Sequence, residues 1–112
     1  MIEEKKPLEA TCPDCRGPLS ERKTERGPRE FVCLVGHRYS ARALLEAHSE
    51  TQEKALWSAV VALEETVNIT RALAAEFTPE VAERLREQSA TRVKEAVLLR
   101  EIIQRLEPFS ME

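Results

Sequence analysis

Long apolar runs are missing from this sequence: no stretch of its 112 residues approaches the ~20 that a membrane-crossing helix needs, which excludes a helical membrane protein. Secretory-leader and lipidation patterns are missing too, and with reduced thiols the chain is expected in the cytoplasm. Cysteine is scarce and odd in number, three in all, where a secreted disulfide scaffold would carry an even set. Histidine is scarcer still, with only His37 and His48. No Gly-x-Ser-x-Gly elbow occurs, so the nucleophile turn of a serine hydrolase is not available.

The few cysteines that exist are gathered in one place. Cys12-Pro13-Asp14-Cys15 is followed by seventeen residues and then by Cys33-Leu34-Val35-Gly36-His37. Three thiolates and an imidazole complete a tetrahedral set for zinc, and ligands paired two to four residues apart are the spacing of structural zinc sites. Pro13, Gly17 and Gly36 supply the tight turns that let neighbouring side chains converge on one ion, with backbone amides free to donate to the sulfurs. A redox Cys-x-x-Cys would sit beside a βαβ pattern, which is missing. A zinc deaminase would need His-x-Glu upstream of Cys12, and none is there. Four protein ligands close the coordination sphere, so one structural zinc per chain, held by Cys12, Cys15, Cys33 and His37, is expected.

Charge is unevenly spread. Residues 10–42 carry seven Lys/Arg against four Asp/Glu, and residues 43–112 carry eight against thirteen. A basic zinc module can bind nucleic acid, but here acidic residues interleave with the basic ones and only Phe31 and Tyr39 are at hand for stacking on bases. Nucleic acid is therefore the lesser partner.

In chain order, residues 1–9 are charged, carry Pro7 and are expected to form a flexible lead-in. Leu19–Lys23 and Arg29–Cys33 flank Thr24–Pro28, whose Gly-Pro reads as the loop of a β-hairpin joining the two ligand pairs. Residues 10–40 are thus expected to be a small zinc ribbon with two knuckles, its core limited to Leu19, Phe31, Val32 and Tyr39 and its folding dependent on metal. Ser40 is an N-cap candidate, and Ser49-Glu50-Thr51-Gln52 is a second capping signature, so the first helix either runs on from about residue 41 or restarts near 49. Leu56, Val60, Leu63, Val67, Thr70, Ala74 and Phe77 then alternate steps of four and three. Thr78-Pro79 ends one helix and starts another, in which Leu85, Ser89, Arg92, Ala96, Leu99, Ile103 and Leu106 repeat the pattern before Pro108.

Residues 41–107 are expected to fold as an antiparallel α-helical hairpin turning near 77–79, each arm about 40 Å long, with residues 108–112 a tail. The expected fold class is this small ribbon followed by the hairpin, mainly α. Folding back at residue 78 sets Phe77 near Val81, Val60 near Leu99 and Thr70 opposite Ser89. Trp57, Val61, Val97, Leu98 and Ile102 lie off the seam. Either the ribbon with Leu44, Leu45 and Phe109 covers them, or a second chain does: a homodimer through the hairpin or a partner protein helix. His48 reads as an ordinary polar or packing residue.

Cys12-Pro13-Asp14-Cys15-Arg16-Gly17-Pro18-Leu19, Phe31 to Ser40, Ala43-Leu44-Leu45, Ala55-Leu56-Trp57 and Ala62-Leu63-Glu64-Glu65 together resemble one known region. It follows the catalytic domain in some chemotaxis-type protein-glutamate methylesterases. The similarity spans about residues 10–107, and Cys33 to Ser40 is its most specific part. Two positions depart from that pattern: Arg16 stands where glycine is usual, and Ser20 where tryptophan is usual. The resemblance implies the same zinc ligands and a bacterial signalling context, with a methylesterase or other signalling protein as partner. It does not imply catalysis, because the serine, histidine and aspartate of that family belong to an α/β domain outside this sequence. The expected function is a non-enzymatic zinc-binding adaptor or interaction module of chemotaxis-type signalling. The alternative is a nucleic-acid-binding zinc-ribbon regulator.

Overall fold

The structure, a computed structural model, describes residues 4–23 and 25–109. Four strands, β1 (Glu4–Thr11), β2 (Pro18–Lys23), β3 (Glu30–Cys33) and β4 (Arg38–Tyr39), form one sheet in the order β1-β2-β3-β4. Every neighbouring pair is antiparallel. Helix α1 (Ala41–Leu73), a 3-10 turn (Ala74–Glu76) and helix α2 (Pro79–Arg105) follow. With helices of 33 and 27 residues the chain is mainly α. No helix among the described residues is long and apolar enough to cross a membrane.

The expected β-hairpin is the centre of the sheet, with Leu19 opposite Cys33 and Glu21 opposite Phe31. Arg22 faces Glu30 across the strands and its guanidinium bonds the carboxylate, one of the cross-strand pairs that fix register. The flexible lead-in expected over residues 1–9 is corrected: residues 1–3 lie outside the described residues, and from Glu4 onward the segment is β1. Leu8 and Ala10 alternate inward beside buried Cys12, so half of this polar-looking stretch has an apolar face. Pro7 is tolerated because β1 is an edge strand, where a missing amide breaks no central ladder. Of the expected loop, Thr24 lies outside the described residues.

Cys12, Leu19, Phe31, Cys33 and Leu44 form the core of this part of the chain, with Leu8, Ala10 and Tyr39 packed on it. Helix α1 therefore begins as part of the sheet's own core. Ser40 caps it, accepting from the Ala43 amide at 3.1 Å. The capping signature at Ser49 goes unused: the Thr51 hydroxyl donates back to the Ala47 carbonyl at 2.9 Å, an interior-helix bond, and α1 runs straight through. The chain divides into two compact units, one made of the residues up to Thr51 together with those from Pro108 and one spanning Gln52–Glu107.

Within Gln52–Glu107 the helices run antiparallel. Arg100 holds Glu64 with two nitrogens and lies over the Trp57 ring, while Val67, Thr70 and Ala74 share a groove with Ser89, Ala90 and Val93. Val60, Val67, Ala74, Ala82, Ala96 and Ile103 are buried at the seam. Thr78 caps α2, accepting from the Val81 amide at 3.3 Å, with Pro79 in the first turn. Phe77, expected in the seam, is instead half exposed: α1 ends at Leu73, and Phe77 is extended (φ −109°, ψ 167°), so the heptad count no longer places it. Arg92 points outward and pairs with Glu95 at 2.6 Å. The small mid-seam residues leave the groove empty of side chains, at about 450 Å³.

Trp57, Val61, Val97, Leu98 and Ile102 are all exposed, between 40% and 57%. They do not share one face. Residues 97 and 98 are about 100° apart on a helix, and Ile102 falls on the side of Leu98. Trp57, Glu64 and Arg71, one heptad apart on α1, line a face with Arg86, Val93 and Arg100 of α2, and Val97 belongs to this side.

Candidate metal centre

Two turns build the site. After β1, the Arg16 amide donates to the Cys12 carbonyl at 2.8 Å and the Cys12 amide to the Gly17 carbonyl at 2.7 Å, closing a loop around Cys15. After β3, the Gly36 amide donates to the Cys33 carbonyl at 3.2 Å and the Cys33 amide to the His37 carbonyl at 3.1 Å. Gly36 sits at φ 99°, a conformation that L side chains rarely adopt, so this turn depends on glycine. The pairing of β2 with β3 then sets one turn against the other.

All four sequence-predicted ligands are brought together: the donor atoms of Cys12, Cys15, Cys33 and His37 lie within 4.8 Å of one another and could hold a metal ion. The separations test the fit. Cys15 Sγ is 3.7 Å from Cys33 Sγ, far beyond a disulfide bond, and His37 Nδ1 is 3.5 Å from Cys12 Sγ and 3.2 Å from Cys33 Sγ. A tetrahedron with bonds of about 2.3 Å to sulfur and 2.0–2.1 Å to nitrogen has edges of about 3.7 Å between sulfurs and about 3.5 Å from sulfur to nitrogen. These three separations are close to the edges of a four-coordinate site, and the remaining ones fall within 4.8 Å. With Nδ1 turned toward the thiols, His37 presents that nitrogen as the ligand atom.

Local donors favour the thiolate at two of the cysteines. Burial works to raise the Cys12 thiol, but hydrogen bonds from Tyr39 and from the Cys15 and Asp14 amides outweigh it and bring it down to about 6. Burial also opposes ionisation of Cys33, and is overcome by the His37 and Val35 amides, the former at 3.3 Å from its sulfur. At Cys15 the Gly17 amide favours the thiolate, yet burial and the neighbouring thiols of Cys12 and Cys33 leave it above its ordinary value. The contact with Cys33 raises His37. Three thiolates side by side repel one another, and only a cation at their centre ionises them together.

Two supporting residues escaped sequence reasoning. The Tyr39 hydroxyl lies between the Asp14 carboxylate and Cys12 Sγ, 3.4 Å from the sulfur, and its one hydrogen is shared between the two acceptors. Burial and these two acceptors push its phenol far above the ordinary value, so it stays a neutral donor. Asp14 lies between two ligands in sequence and Tyr39 two residues past the fourth, which is the only signal that could have found them. His48 is no ligand: its Nε2 donates to the Thr11 carbonyl at 3.0 Å, tying α1 to the strand that leads into Cys12.

The fold and site together define a four-stranded antiparallel sheet bearing a Cys₃His cluster, followed by two long helices. No family model, curated protein or solved structure matches the chain.

Two substitutions probe the centre. Arg16 holds φ 63°, in the left-handed region where a side chain costs about 1 kcal/mol. Arg16→Gly is therefore expected to stabilise the metal-loaded sheet unit by up to about that amount in urea unfolding. Tyr39→Phe removes the neutral donor beside Cys12 and is expected to weaken metal retention about tenfold or more in competition with a chelator.

Proposed function

We propose that the chain is a non-enzymatic zinc-binding adaptor: a zinc ribbon whose single structural ion folds the sheet unit, carried with a helical hairpin that serves as an interaction module. The observation that carries this reading is the convergence of four protein donors within 4.8 Å of one another, with Cys15–Cys33, Cys12–His37 and Cys33–His37 close to tetrahedral edges. Zinc suits such a set of thiolates and imidazole, and four protein ligands leave no open position for a reactive water. The core supports a structural role, since two of its five buried residues are the ligands Cys12 and Cys33. Without an ion, little apolar surface remains to hold the strands.

The resemblance to the region behind the catalytic domain of chemotaxis-type methylesterases gives the adaptor its setting, cytoplasmic bacterial signalling, with a methylesterase or related signalling protein as its partner. The position of Arg16 supports that likeness, because its backbone conformation is the one that the glycine usual there adopts freely.

Metal analysis with chelation tests the core of the proposal. Purified protein should carry one zinc per chain. Stripping it should abolish the structure up to Thr51 and melt residues 41–51 of α1, while Trp57 emission and most of the far-UV helical signal survive, because the bulk of both helices lies in Gln52–Glu107. Less than about half an equivalent of metal from protein never exposed to chelator, or a chelator-resistant sheet unit, would contradict it. For the adaptor role, zinc-loaded chain should co-elute with a chemotaxis-type methylesterase catalytic domain. Retention on DNA that falls steeply with salt, with no such co-elution, would favour a nucleic-acid-binding regulator instead.

A further inference from the structure

We propose that the Gln52–Glu107 unit pairs face to face with a second copy of itself, Trp57 of each copy entering the groove of the other. This inference stands apart from the metal reading, since it draws only on residues of the helical unit.

One face of the hairpin carries a projection at one end and a hollow at the other. The projection is Trp57, 40% exposed, with Arg100 stacked 5.4 Å from its ring centroid and Arg100 in turn held by Glu64 at 2.9 Å. Trp57 thus stands on the surface in a fixed pose with Val61 exposed one turn away. The hollow is the groove of about 450 Å³ floored by Val67, Thr70, Ala74, Ser89, Ala90 and Val93. Its volume exceeds that of an indole ring, and it exists because the seam there is built from small residues. Arg71 and Arg86 also line it.

Arg71 is two heptads beyond Trp57 on the same helix face, so projection and hollow are about 21 Å apart along the axis. An antiparallel two-fold axis midway between them superposes each Trp57 on the other copy's groove. The charges at the two ends of the face agree with that pairing and oppose the parallel one, while Glu64, which falls on the two-fold axis opposite its own copy, is neutralised there by Arg100 in each copy. Glu53, exposed one turn before Trp57, arrives beside Arg71 and Arg86, whose own carboxylate neighbour, Glu83, is tied only to Arg86 in an exposed pair. A parallel pairing would set the two arginine pairs against each other. The face, about 40 Å long and two helices wide, offers on the order of the 800 Å² per partner that a specific dimer needs.

Sedimentation and fluorescence of the full zinc-loaded chain test this. Wild type at tens of micromolar should be a dimer, and Trp57 emission should shift to the blue as the protein passes from monomer to dimer concentrations. Trp57→Ala removes the projection, and Ala90→Trp fills the hollow at an exposed position while leaving Trp57 in place. Each should weaken self-association at least about tenfold. Mixed together they should form a heterodimer, because one Trp57 still finds one open groove. A monomeric wild type, a dimer indifferent to both substitutions, a Trp57 emission that ignores dilution, or a mixture no more associated than its parts would each overturn the proposal. The emission test needs no variant, so poor folding of a substituted chain leaves the question decidable.

Discussion

Three cysteine sulfurs and one imidazole nitrogen crowded within 4.8 Å are the constraint on which the sheet unit depends. Thiolates at that spacing repel, and two of the three cysteines are buried, where an uncompensated charge is costly. The surrounding backbone is nonetheless arranged to favour ionisation, with amides aimed at Cys12 and Cys33. Such an arrangement is coherent around a divalent cation, which binds the sulfurs as thiolates and cancels their repulsion. The strands, the two turns and the first turns of α1 are then organised around one point instead of around a large apolar core.

The helical unit rests on a different principle. Its buried seam is narrow, and three of its six buried residues are alanine. Antiparallel packing is fixed by that seam and by the Arg100–Glu64–Trp57 cluster, an ion pair whose guanidinium also covers an aromatic face. Exposed as it is, the pair is worth little by itself. Its consequence is geometric: it holds Trp57 upright. Apolar residues remain exposed on both sides of the hairpin.

The Cys₃His cluster was legible in the sequence because metal coordination would impose local spacing: Cys12/Cys15 and Cys33/His37 can be read as candidate pairs without knowing the fold. The helix boundary at Thr78-Pro79 and the cap at Ser40 were legible for the same reason, each being a local device. What was not legible depends on tertiary neighbours. β1 hid behind Pro7 and flanking charges because its inward residues, Leu8 and Ala10, gain meaning only beside Leu19. Tyr39 and Asp14 are far apart in sequence, and only the sheet brings their side chains together next to Cys12. Phe77 misled because a heptad count continues through a helix end that backbone geometry does not. The off-seam apolar residues do not make one stripe, because the 100° step per residue divides Val97 from Leu98.

X-ray absorption at the metal edge of the purified protein addresses the first coordination sphere most directly. The prediction is a zinc edge with a shell of three sulfurs at about 2.3 Å and one nitrogen at about 2.0–2.1 Å, and no fourth-position water. A shell made of oxygen and nitrogen alone, or one with an open site occupied by solvent, would contradict a closed structural centre at Cys12, Cys15, Cys33 and His37.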